Sequence, residues 1–283
     1  MPLPCPAAGR KDPCGLAPAC VNFARLLADD EKRLGQRARL GKGQVMRGMH
    51  GRVWKYFGMA LSGARAVAAW VGTWGDSAVT DFSREKALLA QGLGPVCGID
   101  EAGRGPLCGP VVAACVVLNA ARLPDGIADS KRLSEAARER LAEEIRACAR
   151  VGVGLAAAAE IDAQNIHHAT LLAMRRAFDA LPGERPAMAL VDGKFAPELP
   201  CAAEAVVKGD DLVLSIAAAS IIAKVERDRI MKELDARYPL YGLARHKGYP
   251  TKAHIAALQE HGPCPEHRRS FAPVREACRV HGA

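Results

Sequence analysis

The run Val96-Cys-Gly-Ile-Asp100-Glu101-Ala-Gly103-Arg104-Gly105-Pro106 sets a short apolar stretch, two adjacent acids and a glycine-rich turn in direct succession. Residues 96–100 read as a short buried strand, because a brief apolar run bounded by turn residues fits a strand covered on both faces. Working outward, residues 111–118 are continuous and β-branched after Gly109 and Pro110, which predicts a second strand, and 151–159 predicts a third. Between them Ser134 is the candidate N-cap of a helix over 135–148, with Leu141, Ile145 and Cys148 on one face. A second helix starts at Asp162 or Ile166 and runs to Leu181, with Ile166, Leu171, Met174 and Phe178 at core spacing. Strands follow at 188–192 and 203–207, then a long helix over 215–238 that is apolar early and charged late. Three strands in succession, then strand–helix alternation, predict a layered α/β domain with a mixed sheet.

Carboxylates stand at the ends of these apolar runs. Asp100 and Glu101 close the first strand, Asp192 closes the fourth, and Asp210 follows the fifth after Lys208 and Gly209. A buried, unpaired charge costs several kcal/mol, so such acids sit at a solvated rim or bind a cation. Gathered at one edge they repel, by about 4 kcal/mol per pair at ~4 Å and an effective dielectric near 20. Oxygen donors without His or Cys suit Mg²⁺ or Mn²⁺ rather than Zn²⁺, and two such ions suit phosphodiester hydrolysis. Adjacent strand residues point to opposite faces, so Asp100 and Glu101 share a site only if the chain turns directly after Asp100. The plainer alternative makes each acid a cap or a surface residue, with Asp210 and Asp211 capping the helix near Ser215. Gly103, Arg104 and Gly105 match neither a P-loop nor a dinucleotide fingerprint. They form either a simple turn or a loop that offers backbone groups to a sugar.

The chain is 283 residues long, with net charge +8, 49% hydrophobic and 25% charged residues, which excludes a wholly disordered or fibrous protein. Residues 1–90 carry 14 Lys and Arg against 7 Asp and Glu, so most of the excess charge lies before the patterned region. A helix is conceivable over 21–39, but the glycines from Gly35 to Gly51 interrupt it, and Trp54, Trp70 and Trp74 keep no period. Residues 1–92 therefore read as a basic, poorly ordered extension, with a nucleic-acid-binding arm as the alternative. No secretory signal or membrane-length apolar run appears, which points to a cytoplasmic protein. The ten Cys include no C-x-x-C pair and read as buried apolar residues in a reducing compartment. His261, Cys264 and His267 have ligand-like spacing but no convincing fourth partner, so zinc is not expected.

The string from Gly98 to Pro110 resembles the opening motif of type 2 ribonuclease H, and within it bacterial ribonuclease HII. The resemblance continues in order through Asp129-Ser-Lys-Arg-Leu-Ser134, Asn165 to Met174, Leu190-Val-Asp-Gly-Lys194, Lys208-Gly-Asp210 and Ala217 to Lys224. Arg227-Asp-Arg229, His246-Lys-Gly-Tyr-Pro-Thr251 and His267-Arg-Arg-Ser-Phe271 complete it, over about 95–275. It implies a ribonuclease H-like fold, a mixed five-stranded sheet flanked by helices, with a catalytic domain over 93–283. It implies that Asp100, Glu101, Asp192 and Asp210 ligate Mn²⁺ or Mg²⁺, that Gly103, Arg104 and Gly105 recognise the ribose 2′-hydroxyl, and that Tyr249 packs on the neighbouring sugar. The implied activity is cleavage of the RNA strand of RNA–DNA hybrids and of duplex DNA 5′ of an embedded ribonucleotide, leaving 3′-hydroxyl and 5′-phosphate ends. A monomer is expected. A non-catalytic nucleic-acid-binding module on the same fold is the alternative. Lys194, Lys224, Arg227, Lys247 and Arg268 are candidate phosphate contacts, or else solvated charges. His246, His254 and His267 are expected to be structural or phosphate contacts rather than general bases. Cys108 stands where the family commonly has a small residue such as Ala.

Overall fold

The computed structural model describes residues 80–127 and 133–282. The helix considered at 21–39, the tryptophans at 54, 70 and 74, and Asp129 to Arg132 of the Asp-Ser-Lys-Arg motif lie outside the described residues. The described chain opens with helix α1 (Ser83–Ala90) and continues through β1 (Val96–Ala102), β2 (Val111–Val117), α2 (Glu135–Cys148), β3 (Arg150–Ala156) and α3 (Ala158–Asp179). Then come β4 (Met188–Asp192), β5 (Ala202–Val206), the one-turn α4 (Gly209–Leu212) and the long α5 (Leu214–Arg237). Three short helices close the chain: α6 (Leu243–His246), α7 (Lys252–His261) and α8 (Ala272–His281).

The five strands form one mixed sheet in the order β3-β2-β1-β4-β5. β2 runs antiparallel to both β1 and β3, while β1, β4 and β5 are parallel. β1 is thus central, and the period-2 alternation of its side chains divides the core. Cys97 and Ile99 join Val111, Ala113 and Cys115 beneath the Ala169, Ala173, Met174 and Phe178 face of α3. On the opposite face, Ala114 and Val116 meet Leu141 and Ile145 of α2 and the run from Ala217 to Ala223 of α5. Ser134 accepts a hydrogen bond from the Ala137 amide at 3.2 Å, the expected N-cap of α2.

Two differences from expectation have local causes. The two candidate starts of α3, Asp162 and Ile166, reflect a break: Asn165 has φ 68 and ψ 164 inside the helix. Its side-chain oxygen accepts from the amides of His167 and His168 at 2.9 and 3.2 Å, so it caps the second half of α3. The second difference concerns residues 80–92, which composition assigned to the extension. Here α1 is packed on the domain, and Glu85 is 1% exposed. Its Oε1 accepts the Ser215 amide at 2.7 Å, and the Asp81 carbonyl accepts the Leu214 amide at 3.1 Å. These acceptors satisfy first-turn amides of α5 that no intrahelical partner can reach.

Gly98 marks the tightest contact between layers. A Cβ there would lie 2.2 Å from the Ser215 carbonyl carbon, so β1 and the start of α5 touch backbone to backbone. Gly98→Ala is expected to destabilise the protein by about 1–3 kcal/mol through overpacking, read as a lower urea midpoint at unchanged slope.

Candidate active site

The acids gather where β1 outruns its neighbour. The β1–β4 ladder ends at Ile99 opposite Val191, leaving Asp100 and Glu101 of β1 beside Asp192, the last residue of β4. On the other side β1 stays paired with β2 as far as Ala102. The chain therefore does not turn directly after Asp100; the turn comes at Gly103, with φ +97. The two adjacent acids nevertheless share the site, because the Asp100 carboxylate folds back and its Oδ1 accepts the Glu101 amide at 2.7 Å. Carboxylate oxygens of Asp100, Glu101 and Asp192 lie within 4.8 Å of one another.

Asp192 is fixed by the opening of α4. Lys208 takes a left-handed φ of 56, and the next amide, that of Gly209, donates to Asp192 Oδ1 at 2.7 Å. A Cβ on Gly209 would crowd Ile216 Cδ1 at 2.6 Å and Val206 Cβ at 3.3 Å, so the absence of a side chain eases this approach. Asp210 follows in α4 and is buried at 6% exposure. It stands outside the close trio, yet its charge is among those that raise the pKa of Asp100.

Burial is the largest cause lifting Asp100 well above the usual carboxylate range, followed by the charges of Glu101 and Asp192. Burial also raises Glu101, opposed by the Arg104 guanidinium, whose Nη1 reaches Glu101 Oε1 at 3.3 Å. The other oxygen, Glu101 Oε2, is buried without a hydrogen-bond partner. An unpartnered buried carboxylate oxygen among like charges is a poor arrangement alone and a good one around a hard divalent cation. All donors are oxygens, so the set fits Mg²⁺ or Mn²⁺.

The turn that follows is built on two arginines. Arg268 is fully buried and donates to the carbonyls of Gly103, Arg104 and Gly109 at 2.6, 2.9 and 2.9 Å. Arg227, 1% exposed, donates to the carbonyls of Cys108, Pro110 and Lys247 at 3.1, 3.1 and 3.0 Å. A Cβ on Gly103 would lie 1.9 Å from Arg227 Nε, so glycine is required above it. This overturns the expectation that Arg227 and Arg268 contact phosphate: their donors are spent on backbone carbonyls. Lys224 is paired with Asp228 at 2.6 Å, and Lys247 Nζ donates to the Ala244 carbonyl at 2.6 Å. Lys194 remains exposed.

Tyr249, 46% exposed, stands beside the turn, its ring 3.5 Å from where a Gly105 Cβ would be. A groove next to Asp192 is lined by Arg104, His167, Thr170, Lys194 and Phe195. Phe195 is 61% exposed, with its ring 5.0 Å from that of His167. Sequence reasoning passed over Phe195 and His167; the one available signal was an aromatic residue directly after the Asp192-Gly-Lys turn.

A mixed sheet in this order, with acids crowded at the end of its central strand, defines the ribonuclease H class of nucleases. The ribonuclease HII family profile matches residues 97–274. The chain belongs to the ribonuclease HII family, and it is an endoribonuclease that acts on RNA–DNA hybrids. It is 56% identical over 209 residues to a ribonuclease HII of Xanthobacter autotrophicus, covering 74% of this chain and 81% of that protein. It is 58% identical over 200 residues to one of Magnetococcus marinus, covering 69% and 94%. Among solved structures it resembles the ribonuclease H2 of Pyrococcus horikoshii at 28% identity with a TM-score of 0.57, covering 65% of this chain and 97% of that one.

The raised pKa of Asp100 has a consequence for stability without metal. A carboxyl whose folded pKa lies above its unfolded value costs stability as pH rises from about 4 through the folded value. Asp100→Asn removes that cost. Thermal unfolding in excess chelator should show the variant gaining more over wild type at pH 7 than near pH 4. Arg268→Lys cannot reproduce the three-carbonyl fork and should lower stability by about 1–3 kcal/mol in denaturant unfolding.

Proposed function

We propose that the chain hydrolyses the RNA strand of hybrids and also cuts duplex DNA on the 5′ side of an embedded ribonucleotide, leaving 3′-hydroxyl and 5′-phosphate ends. The observation that carries this is the convergence of Asp100, Glu101 and Asp192, with Glu101 Oε2 unpartnered, one turn away from a rigid glycine loop. Asp100, Glu101, Asp192 and Asp210 are the ligand set for Mn²⁺ or Mg²⁺, which when bound supplies an activated water and neutralises the leaving oxygen.

The remaining work belongs to the chain itself. Arg268 ties down the carbonyls of Gly103 and Arg104, so the loop meets substrate in one conformation. Gly105 has no side chain, which lets a sugar edge approach the backbone. Hybrids present 2′-hydroxyls in a wide, shallow minor groove, so one sugar contact separates RNA from DNA. A site built to bond a hydroxyl rejects the analogue lacking it by roughly 10⁴–10⁵-fold. The 2′-hydroxyl is thus a recognition mark and not the nucleophile, consistent with 5′-phosphate products. Tyr249 packs on the adjoining sugar, and Lys194 neutralises a nearby phosphate.

The catalytic unit is residues 93–283 together with α1, acting as a cytoplasmic monomer; the basic residues before it have no assigned role. Among the described residues no helix is long and apolar enough to cross a membrane. Family membership sets aside the alternative of a module that binds without cutting.

The test is a duplex carrying one ribonucleotide, with and without Mg²⁺ or Mn²⁺ and with product ends mapped. Asp100→Asn and Asp192→Asn should each lose more than ~100-fold in cleavage at unchanged circular dichroism, since even residues one layer behind a metal cost 10–100-fold. Retained Mn²⁺-dependent cleavage in both variants sinks the proposal. Tyr249→Ala should raise KM for the single-ribonucleotide duplex more than it lowers kcat.

A further inference from the structure

The described residues hold a second cluster of metal-ligating side chains, sharing no residue with the acids. Cys108, Cys264 and His267 are all buried, and their donor atoms lie within 4.8 Å of one another. Cys108 and His267 face each other across an isolated antiparallel bridge. Met231, Leu234, Tyr241 and Leu243 form the apolar shell around Cys108 and Cys264. Sequence spacing grouped His261 with Cys264 and His267. In the fold the third donor is instead Cys108, while the His261 ring lies edge-on to Tyr241.

The hydrogen bonds fix which ring nitrogen of His267 is available. The Tyr249 carbonyl accepts only, so His254 Nδ1, 3.0 Å away, carries a proton. With its one ring proton held on Nδ1 by that carbonyl, the fully buried His254 ring presents Nε2 as a lone pair. His267 Nε2, 3.1 Å from it, must therefore donate. That leaves His267 Nδ1 as a lone pair, accepting the Cys264 amide at 3.1 Å and facing Cys264 Sγ at 3.1 Å. A ligating imidazole typically donates its other N–H to a fixed acceptor, and this chain of contacts supplies that acceptor.

We propose that Cys108, Cys264 and His267 form a binding site for a thiophilic closed-shell cation, Zn²⁺ or Cu⁺, distinct from the oxygen site for hard cations. Sulfur and imidazole donors in an apolar shell select such ions and disfavour Mg²⁺ or Mn²⁺. Around a tetrahedral zinc the S–N edge is about 3.5 Å, so Sγ and Nδ1 need to separate only by roughly half an ångström. Three donors complete the coordination of Cu⁺; Zn²⁺ takes a fourth, and among the described residues no other His, Cys, Asp or Glu joins the cluster.

The experiment titrates reduced, chelator-stripped, full-length protein with Co²⁺ as a zinc surrogate and, separately, with Cu⁺ held by a chromogenic chelator. One equivalent of either ion is expected to bind tightly, Co²⁺ giving a sulfur-to-metal charge-transfer band. Co²⁺ uptake identifies the Zn²⁺ class, and Cu⁺ uptake without Co²⁺ identifies the three-coordinate ion. Cys108→Ala and Cys264→Ser should each weaken binding by at least ~100-fold. Cys278→Ser and Asp192→Asn should bind as wild type, the latter separating this site from the acids. Circular dichroism establishes that each variant is folded. Uptake of neither ion by the wild type, or thiolate-type binding that survives both Cys108→Ala and Cys264→Ser, overturns the proposal.

Discussion

Like-charge crowding at the end of β1 is the constraint around which the rest is arranged. Asp100, Glu101 and Asp192 are held closer than free carboxylates would choose, and burial sharpens the repulsion. The fold sustains this because strand pairing, not the acids, sets their positions. β2 holds β1 in register through Ala102, and the β1–β4 ladder stops at Ile99 and Val191, so the next residues of the two strands, Asp100 and Asp192, stand side by side. The stability surrendered there is recovered in a core that continues on both sheet faces. A divalent cation held by these acids, as proposed above, would relieve that repulsion.

The buried arginines solve a related problem. A loop that presents its backbone to a sugar, as proposed for residues 103–105, must not wander, yet its glycines favour wandering. Arg227 and Arg268 each bond three carbonyls from below, which rigidifies the loop while leaving its outer face free. Their charge is dispersed over carbonyl dipoles rather than paired with a carboxylate.

Much of this was legible in the chain. Apolar runs ending in acids at Asp100 and Asp192 located the strands and pointed to the acids that converge there, because a charge at the end of a buried strand needs a reason. Ser134 announced α2 through its capping chemistry, and the early-apolar, late-charged run of α5 matched a helix buried all round in its first half and along one face in its second. What was not legible depended on distant partners. Arg227 and Arg268 look like any basic residue in sequence; only the carbonyls of residues 103–110 show that they are scaffold. Cys108 joins Cys264 and His267 across more than 150 residues, which no local spacing reveals. The convergence of Asp100 and Glu101 depended on one carboxylate folding back on the chain, a rotamer and not a pattern.

The contact between Glu85 and the Ser215 amide bears on how the chain can be trimmed. Motif resemblance begins near residue 95, and a shortened version cut there would look complete. It would lack the carboxylate that terminates α5, as well as the Asp81 carbonyl beside it. Exposed amide dipoles would then open onto the layer where Gly98 lets the helix rest on the central strand, directly behind the acids. Any truncation meant to preserve the nuclease should therefore begin upstream of Thr80, whose hydroxyl donates to the Asp211 carbonyl in α4.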